Sequence, residues 1–416
     1  MRLKYIGVLL LAFSFILVTL FPGCRDNTPA APEPTATDTP YYTPTITPTH
    51  TVSPTFTDTT SKTASPTFTS TASPTATATA TQTPKWSLVA SSGYGPGPHT
   101  HIDYFADWAG QSYFSCADGG WGGRTTVFYD AGSTWDNWGA TALSNTYSAY
   151  TNVYGGGNIA FTAYYNPIAQ MVEVKRSASG GTWTDYGDIS ALLTTGNSVL
   201  PKMTMFGNDM YIVTRENTSP SGMSVSTYNG TGSWTYLGAR NFNSINTVEY
   251  DILVTSSVYV FAHEGTNGGK VYMYSGGWSD ISPSGGVSGG MVSGVSITYG
   301  PRVAFSDNSQ SGKLSVMEYS GSGTTWNYVG GSAGITPNSV EQTSIAVYEG
   351  TVYVAYVEAS GDYLKAMKYK SGTWYDLPPV YLNITADNPS IFCRYGIVFL
   401  GFQNLGSNNI DAWMFQ

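Results

Sequence analysis

The chain has 416 residues, a formal net charge of −9 and only 11% charged residues, while 47 Gly, 31 Tyr and 11 Trp enrich it in turn formers and aromatics. This composition suits an all-β protein, and neither a cytosolic α/β enzyme nor a disordered chain. The 18 Lys and Arg are scattered, so no dense basic face for a phosphate backbone exists and nucleic acid is excluded as a partner.

The N-terminus reads as an export signal spanning residues 1–23. Arg2 and Lys4 precede an apolar run over residues 5–21, and Pro22-Gly23-Cys24 follows. A small residue before a Cys at the end of such a run resembles the bacterial lipobox, in which the thiol is acylated and the peptide is cut just before it. Phe21 and Pro22 depart from that pattern. The resemblance implies a lipidated Cys24, a membrane anchor, and residence in the bacterial envelope at the outer membrane or cell surface. Uncleaved anchoring and simple secretion are the alternatives. Cys24 is also the odd member of three cysteines; Cys116 and Cys393 fall inside predicted strands and are expected to be buried thiols rather than a disulfide.

Residues 24–84 follow as a linker in which Thr, Pro, Ser and Ala dominate, for example Ser73-Pro74-Thr75-Ala76-Thr77. Without apolar periodicity such a segment cannot bury enough surface to offset its ordering entropy. It is predicted to be a disordered stalk with polyproline II bias, reaching at most roughly 180 Å.

From residue 85 to 416 the chain repeats. Trp86, Trp135, Trp183, Trp234, Trp278, Trp326 and Trp374 recur at spacings of 49, 48, 51, 44, 48 and 48 residues. The sixth copy shows the unit: Ser344-Ile345-Ala346-Val347, then Tyr353-Val354-Ala355-Tyr356-Val357, a third strand over residues 364–369, a Gly-bearing turn, and a fourth strand opened by Trp374. Four short strands per unit predict a seven-bladed β-propeller. The region opens with a lone fourth strand at Trp86 and closes with a lone third strand over residues 410–415. Overlap closure of the ring follows from that offset.

The turn Asp130-Ala131-Gly132-Ser133-Thr134-Trp135 resembles the Asp-box of sialidases and related propellers, and the other copies keep fragments such as Gly372-Thr373-Trp374. The chain therefore resembles bacterial lipid-anchored, tandem-repeat β-propellers with degenerate Asp-boxes. In that family the box lies far from the active site, so it bears on architecture alone. The sialidase arginine clamp and Arg-Ile-Pro motif are missing.

Ligands of propellers usually bind on the face formed by the loops after the second strand and before the next first strand. The residues expected at the second-strand exits are Asp118, Tyr165, Glu216, Glu264, Asp307, Glu358 and Gln403, five of them carboxylates in a chain with 27 acids. Two readings stand side by side: carboxylates that accept turn N–H groups, and a ring that binds a cation such as Ca2+ or a carbohydrate. Trp121, flanked by Gly119-Gly120 and Gly122-Gly123, is an expected stacking platform beside Asp118. His101, in His99-Thr100-His101, completes the candidate ligand-binding set. A lone H-x-H falls short of a metal site, so none is expected, and no cofactor either.

No nucleophile elbow, phosphate loop or selected carboxylate pair marks an enzyme. The expectation is a non-catalytic, monomeric binding module for carbohydrate or another cell-surface or extracellular ligand. A glycan-active hydrolase and a protein-interaction or structural scaffold are the alternatives, and fold alone does not choose among them.

Overall fold

The computed structural model describes residues 85–416 except 92–98, 107–110, 133, 157–158, 179–180, 188–198, 217–220, 244, 266–267, 285, 288–291 and 380–383. The predicted signal, Cys24, the stalk and Trp108 lie outside the described residues. So do the side chains of His99 and His101.

Seven four-stranded antiparallel sheets make a seven-bladed propeller, with no α-helix among the described residues. Blade one comprises β2 (His99–Ala106), β3 (Ser112–Asp118), β4 (Arg124–Asp130) and β5 (Trp135–Asn137). Blade two is β6 (Ala149–Gly156), β7 (Ile159–Asn166), β8 (Met171–Ser177) and β9 (Trp183–Asp185). Blade three is β10 (Val199–Phe206), β11 (Asp209–Arg215), β12 (Met223–Tyr228) and β13 (Thr235–Tyr236). Blade four is β14 (Glu249–Val254), β15 (Val258–His263), β16 (Gly269–Tyr274) and β17 (Trp278–Asp280). Blade five is β18 (Val292–Thr298), β19 (Arg302–Asp307), β20 (Lys313–Tyr319) and β21 (Trp326–Tyr328). Blade six is β22 (Val340–Tyr348), β23 (Thr351–Glu358), β24 (Tyr363–Lys370) and β25 (Thr373–Asp376). Blade seven is β26 (Ala386–Arg394), β27 (Ile397–Asn404) and β28 (Asn409–Phe415), completed by β1 (Trp86–Ser91). The expected overlap closure is thus present: Trp86 pairs with Phe415 and Ser91 with Asp411.

Second strands such as β3, with its Tyr113-Phe114 pair, and β23, rich in Val and Tyr, are buried along nearly their whole length, because neighbouring blades cover both of their faces. The core is accordingly divided into seven hydrophobic clusters, one at each blade junction. Phe161, Val172 and Val174 of blade two meet Met203, Ile212 and Trp234 of blade three, for instance. At the closing junction Tyr104 lies over Gly401 so tightly that a Cβ on residue 401 would sit 2.2 Å from its ring. Only glycine fits there.

The tryptophan ladder is more than hairpin packing. Each Nε1–H donates to a backbone carbonyl of the preceding blade: Trp86 to Pro378, Trp135 to Ile410, Trp183 to Trp138, Trp234 to Tyr186, Trp278 to Leu237, Trp326 to Ile281 and Trp374 to Val329. These seven bonds form an outer ring of inter-blade latches. Cys116 and Cys393 are free thiols, and burial pushes both well above the usual thiol range.

The first strands carry a device that the repeat pattern does not reveal. Six of the seven shift register near their start, between Thr100 and Asp103, Ala149 and Asn152, Val199 and Lys202, Ser293 and Ser296, Val340 and Gln342, and Asp387 and Ser390. Such β-bulges re-aim side chains at the rims of closed sheets. Tyr150, Leu200, Gly294 and Asn388 sit in these bulges with φ between 52 and 59°. A left-handed conformation is costly for residues as large as Tyr and Leu.

Candidate functional site: the upper face and its central cavity

The face bearing the second-to-third-strand turns is taken here as the upper face. The exit ring predicted for it has a structural function. Register counting from the first strands puts the equivalent exits at Asp118, Asn166, Glu216, Glu264, Asp307, Glu358 and Asn404. In blades two and seven this is one residue beyond Tyr165 and Gln403. Asp118 Oδ1 accepts from Gly120 N at 2.9 Å, Asp307 Oδ1 from Ser309 N at 3.0 Å, Asn166 Oδ1 from Ala169 N at 3.0 Å and Asn404 Oδ1 from Gly406 N at 3.1 Å. The longer Glu side chains instead bond polar groups of neighbouring strands and loops. Glu216 accepts from Arg240 Nε at 2.7 Å, Glu264 from Asn243 Nδ2 and Tyr272 Oη at 2.6 Å, and Glu358 from Lys365 Nζ at 2.8 Å. Six of the seven are buried, and Asn404 is half-buried. The ring therefore organises the turns, and its carboxylates are held apart, each within its own blade. Among the described residues no three His, Cys, Asp or Glu side chains gather closely enough to hold a metal ion.

A second, inner ring encloses a cavity of about 790 Å³ that opens among the starts of the first strands. Its members are Asp103, Asn152, Lys202, Asp251, Ser296, Ser344 and Ser390, one per blade. Most of them latch the neighbouring blade. Asp103 Oδ2 accepts from Val153 N at 2.9 Å, Asn152 Oδ1 from Met203 N at 2.7 Å, Asp251 Oδ2 from Ile297 N at 3.0 Å and Ser344 Oγ from Ile391 N at 3.0 Å. Ser390 Oγ donates to Tyr104 O at 2.9 Å across the closing junction. Lys202 breaks the series: among the described residues its side chain makes no hydrogen bond or ion pair, and it lines the cavity. Burial raises the carboxyls of Asp103 and Asp251, and the Lys202 ammonium opposes that rise in both. Phe105 and Tyr154, stacked with ring centroids 4.5 Å apart, also line the cavity.

Exposed aromatics also stand on the upper face of blades one and two. Trp121 is 51% exposed, at the end of a turn whose first N–H groups Asp118 caps. Tyr147, 50% exposed, lies against Gly123, where a Cβ would come within 2.6 Å of its ring. Tyr150, held in the bulge of β6, lines the cavity itself, and its phenol lies close enough to those of Tyr165 and Tyr250 to influence both electrostatically. Tyr250 is fixed by donating to Leu200 O at 2.6 Å and accepting from Arg215 N at 2.8 Å. His101 occupies in β2 the bulge position that Tyr150 occupies in β6.

Of the predicted site residues, Asp118, Trp121 and Tyr165 thus fall in one region, whereas Glu216, Glu264, Asp307 and Glu358 are distributed around the ring. Tyr147, Tyr150 and Lys202 were not predicted. Aligning first strands rather than second strands would have exposed Lys202, because the inner-ring positions recur with nearly the same period as the tryptophans; Tyr150 stands in a bulge and Tyr147 on a connecting segment, which no such alignment marks.

No family model matches the chain, and no curated protein matches it. Solved structures of similar shape include Trypanosoma rangeli sialidase in complex with sialic acid, with 13% identity over 65% of this chain and 54% of that one and a TM-score of 0.43. The fucose-specific lectin from Aleuria aurantia matches with 15% identity over 69% of this chain and 98% of the lectin, at a TM-score of 0.45. The chain spans about half the length of the sialidase.

Proposed function

We propose that this chain is a non-catalytic saccharide-binding module carried on a lipid-anchored stalk at the bacterial cell surface. The observation that carries the reading is the set of exposed rings on the upper face of blades one and two, Trp121, Tyr147 and Tyr150, of which Tyr150 lines the central cavity. Aromatic faces bind the C–H faces of sugars, while Lys202, whose side chain has no other partner among the described residues, offers donors to hydroxyl groups at the cavity wall. A glycan array with the full-length protein tests it: wild type is expected to retain a set of glycans that a Trp121→Ala/Tyr147→Ala variant loses. An empty array, together with capture of a tight protein partner, argues instead for a scaffold. The anchor is tested separately. Cys24→Ser is expected to abolish incorporation of labelled fatty acid and to move the protein from the membrane fraction to the soluble one.

One observation favours a second reading as a hydrolase: Asp103 and Asp251 are carboxyls raised by burial at the wall of a cavity, as general acids often are. Against it, both already accept backbone N–H groups of the next blade. Release of reducing ends from the glycans retained on the array, lost in Asp251→Asn, would establish catalysis.

A further inference from the structure

The lower face, which bears the turns between first and second strands, carries a repeated feature with no structural explanation. Phe206 in blade three, Tyr299 in blade five and Tyr395 in blade seven stand on these turns and are 50, 67 and 72% exposed. Tyr348 occupies the same turn in blade six. Repetition alone signals a structural need, as in the buried exit ring; repetition combined with exposure does not, because a ring mostly in water contributes little packing.

Tyr395 is the clearest case. Arg394 pairs with Ile397, so Tyr395 and Gly396 form a two-residue hairpin loop with φ of 46 and 77°. That loop type favours Asn-Gly, since both central residues must be left-handed. A tyrosine is held there against its conformational preference and is then left exposed. The Arg394 guanidinium lies 4.8 Å from the ring centroid, on a side chain that is itself buried. Tyr348, within electrostatic reach of both Glu349 and Tyr395, adds a second phenol and a carboxylate at the junction of blades six and seven. An aromatic plate bordered by a fixed cation, a phenol and a carboxylate suits a pyranose: its C–H face stacks, and its hydroxyls find both donors and acceptors.

We propose that the lower face is a second saccharide-binding surface, centred on Tyr395 and Tyr348 and repeated at Tyr299 and Phe206, so that the propeller holds polysaccharide on both faces. The assignment rests on the same ligand class as the upper-face reading but on different residues. A polysaccharide is the occupant the observations favour, because single rings on the turns of separate blades match a repeating polymer better than the contiguous apolar core of a protein interface.

Affinity electrophoresis of the full-length protein in gels containing mixed-linkage β-glucan, xylan or galactomannan tests it, alongside precipitation of the same polysaccharides. Wild type is expected to be retarded and to precipitate the polymer, since two faces cross-link. Tyr299→Ser/Tyr395→Asn should bind about tenfold more weakly and no longer precipitate it, as expected for loss of stacked rings. Its melting temperature should hold or rise, because Asn suits the hairpin. Wild-type retardation and precipitation by this variant would overturn the proposal while leaving the upper-face reading intact. A fall in its melting temperature would assign the rings a packing function and overturn it as well. No retardation of wild type in any gel would overturn both readings.

Discussion

Two kinds of residue hold neighbouring blades together, and they differ in what they cost. Trp135 is fully buried and bonds Ile410 O at 3.0 Å, joining blade one to blade seven. Trp135→Phe keeps an aromatic ring but strands that carbonyl, and is expected to lower stability by about 1–3 kcal/mol in urea titration. Two of the inner latches, Asp103 and Asp251, use a carboxyl instead. Burial raises the Asp251 carboxyl above its ordinary value of 3.8, so the folded chain holds this proton more tightly than the unfolded chain does. The stability it contributes is therefore full below pH 3.8 and is lost as pH rises through the folded value. Asn152 shows that an amide oxygen can make the same latch. Asp251→Asn should thus keep the blades joined while flattening the decline in melting temperature on the neutral side of pH 4, as thermal melts across a pH series would show. A wild-type melting temperature that rises over that window would contradict this assignment.

At the scale of elements, the bulges of the first strands decide what the cavity presents. Tyr150 at a φ of 54° costs about 1–2 kcal/mol relative to a residue at ease in that region. Tyr150→Asn is expected to raise stability by about 1 kcal/mol and to weaken glycan binding, a trade measurable by melting and by array on the same sample. A loss of both would mean that the ring is a packing residue. The bulges also mark the limit of what the sequence shows. Blade number, strand order and overlap closure were legible because the anchor tryptophans and Gly-bearing turns recur with one period. The exit ring was legible apart from a one-residue offset in blades two and seven, where Tyr165 and Gln403 stand beside the functional Asn166 and Asn404. The bulge pairs Tyr150-Thr151, Leu200-Pro201, Gly294-Val295 and Asn388-Pro389 share no common motif, only a second-position Pro in two of the four, since a bulge is specified by register. The cavity lining they create was consequently invisible, as was the approach of Tyr147 to Gly123, two residues far apart in sequence on connecting segments.

For the whole molecule, the decisive element is the one that belongs to the last blade and comes first among the described strands. Without β1, β28 would be left with a row of unpaired N–H and C=O groups on an apolar strand, the condition that drives edge-to-edge association. The Trp86 bond to Pro378 O and its ring contact with Phe415, at 5.2 Å between centroids, would go with it. Two junction clusters would also be opened, since Trp86 belongs to the core between blades six and seven and Ala90 to the core between blades seven and one. A chain starting at residue 85 keeps all of these contacts and should melt at the wild-type temperature. A chain starting at residue 92 is expected to elute as oligomers or aggregates on size exclusion and to lose its cooperative transition. A synthetic peptide of residues 85–91 should restore the monomer, because the missing strand needs only its register with β28 and not covalent continuity. A monomeric, cooperatively melting chain from residue 92 would mean that blade packing, and not edge pairing, closes the ring.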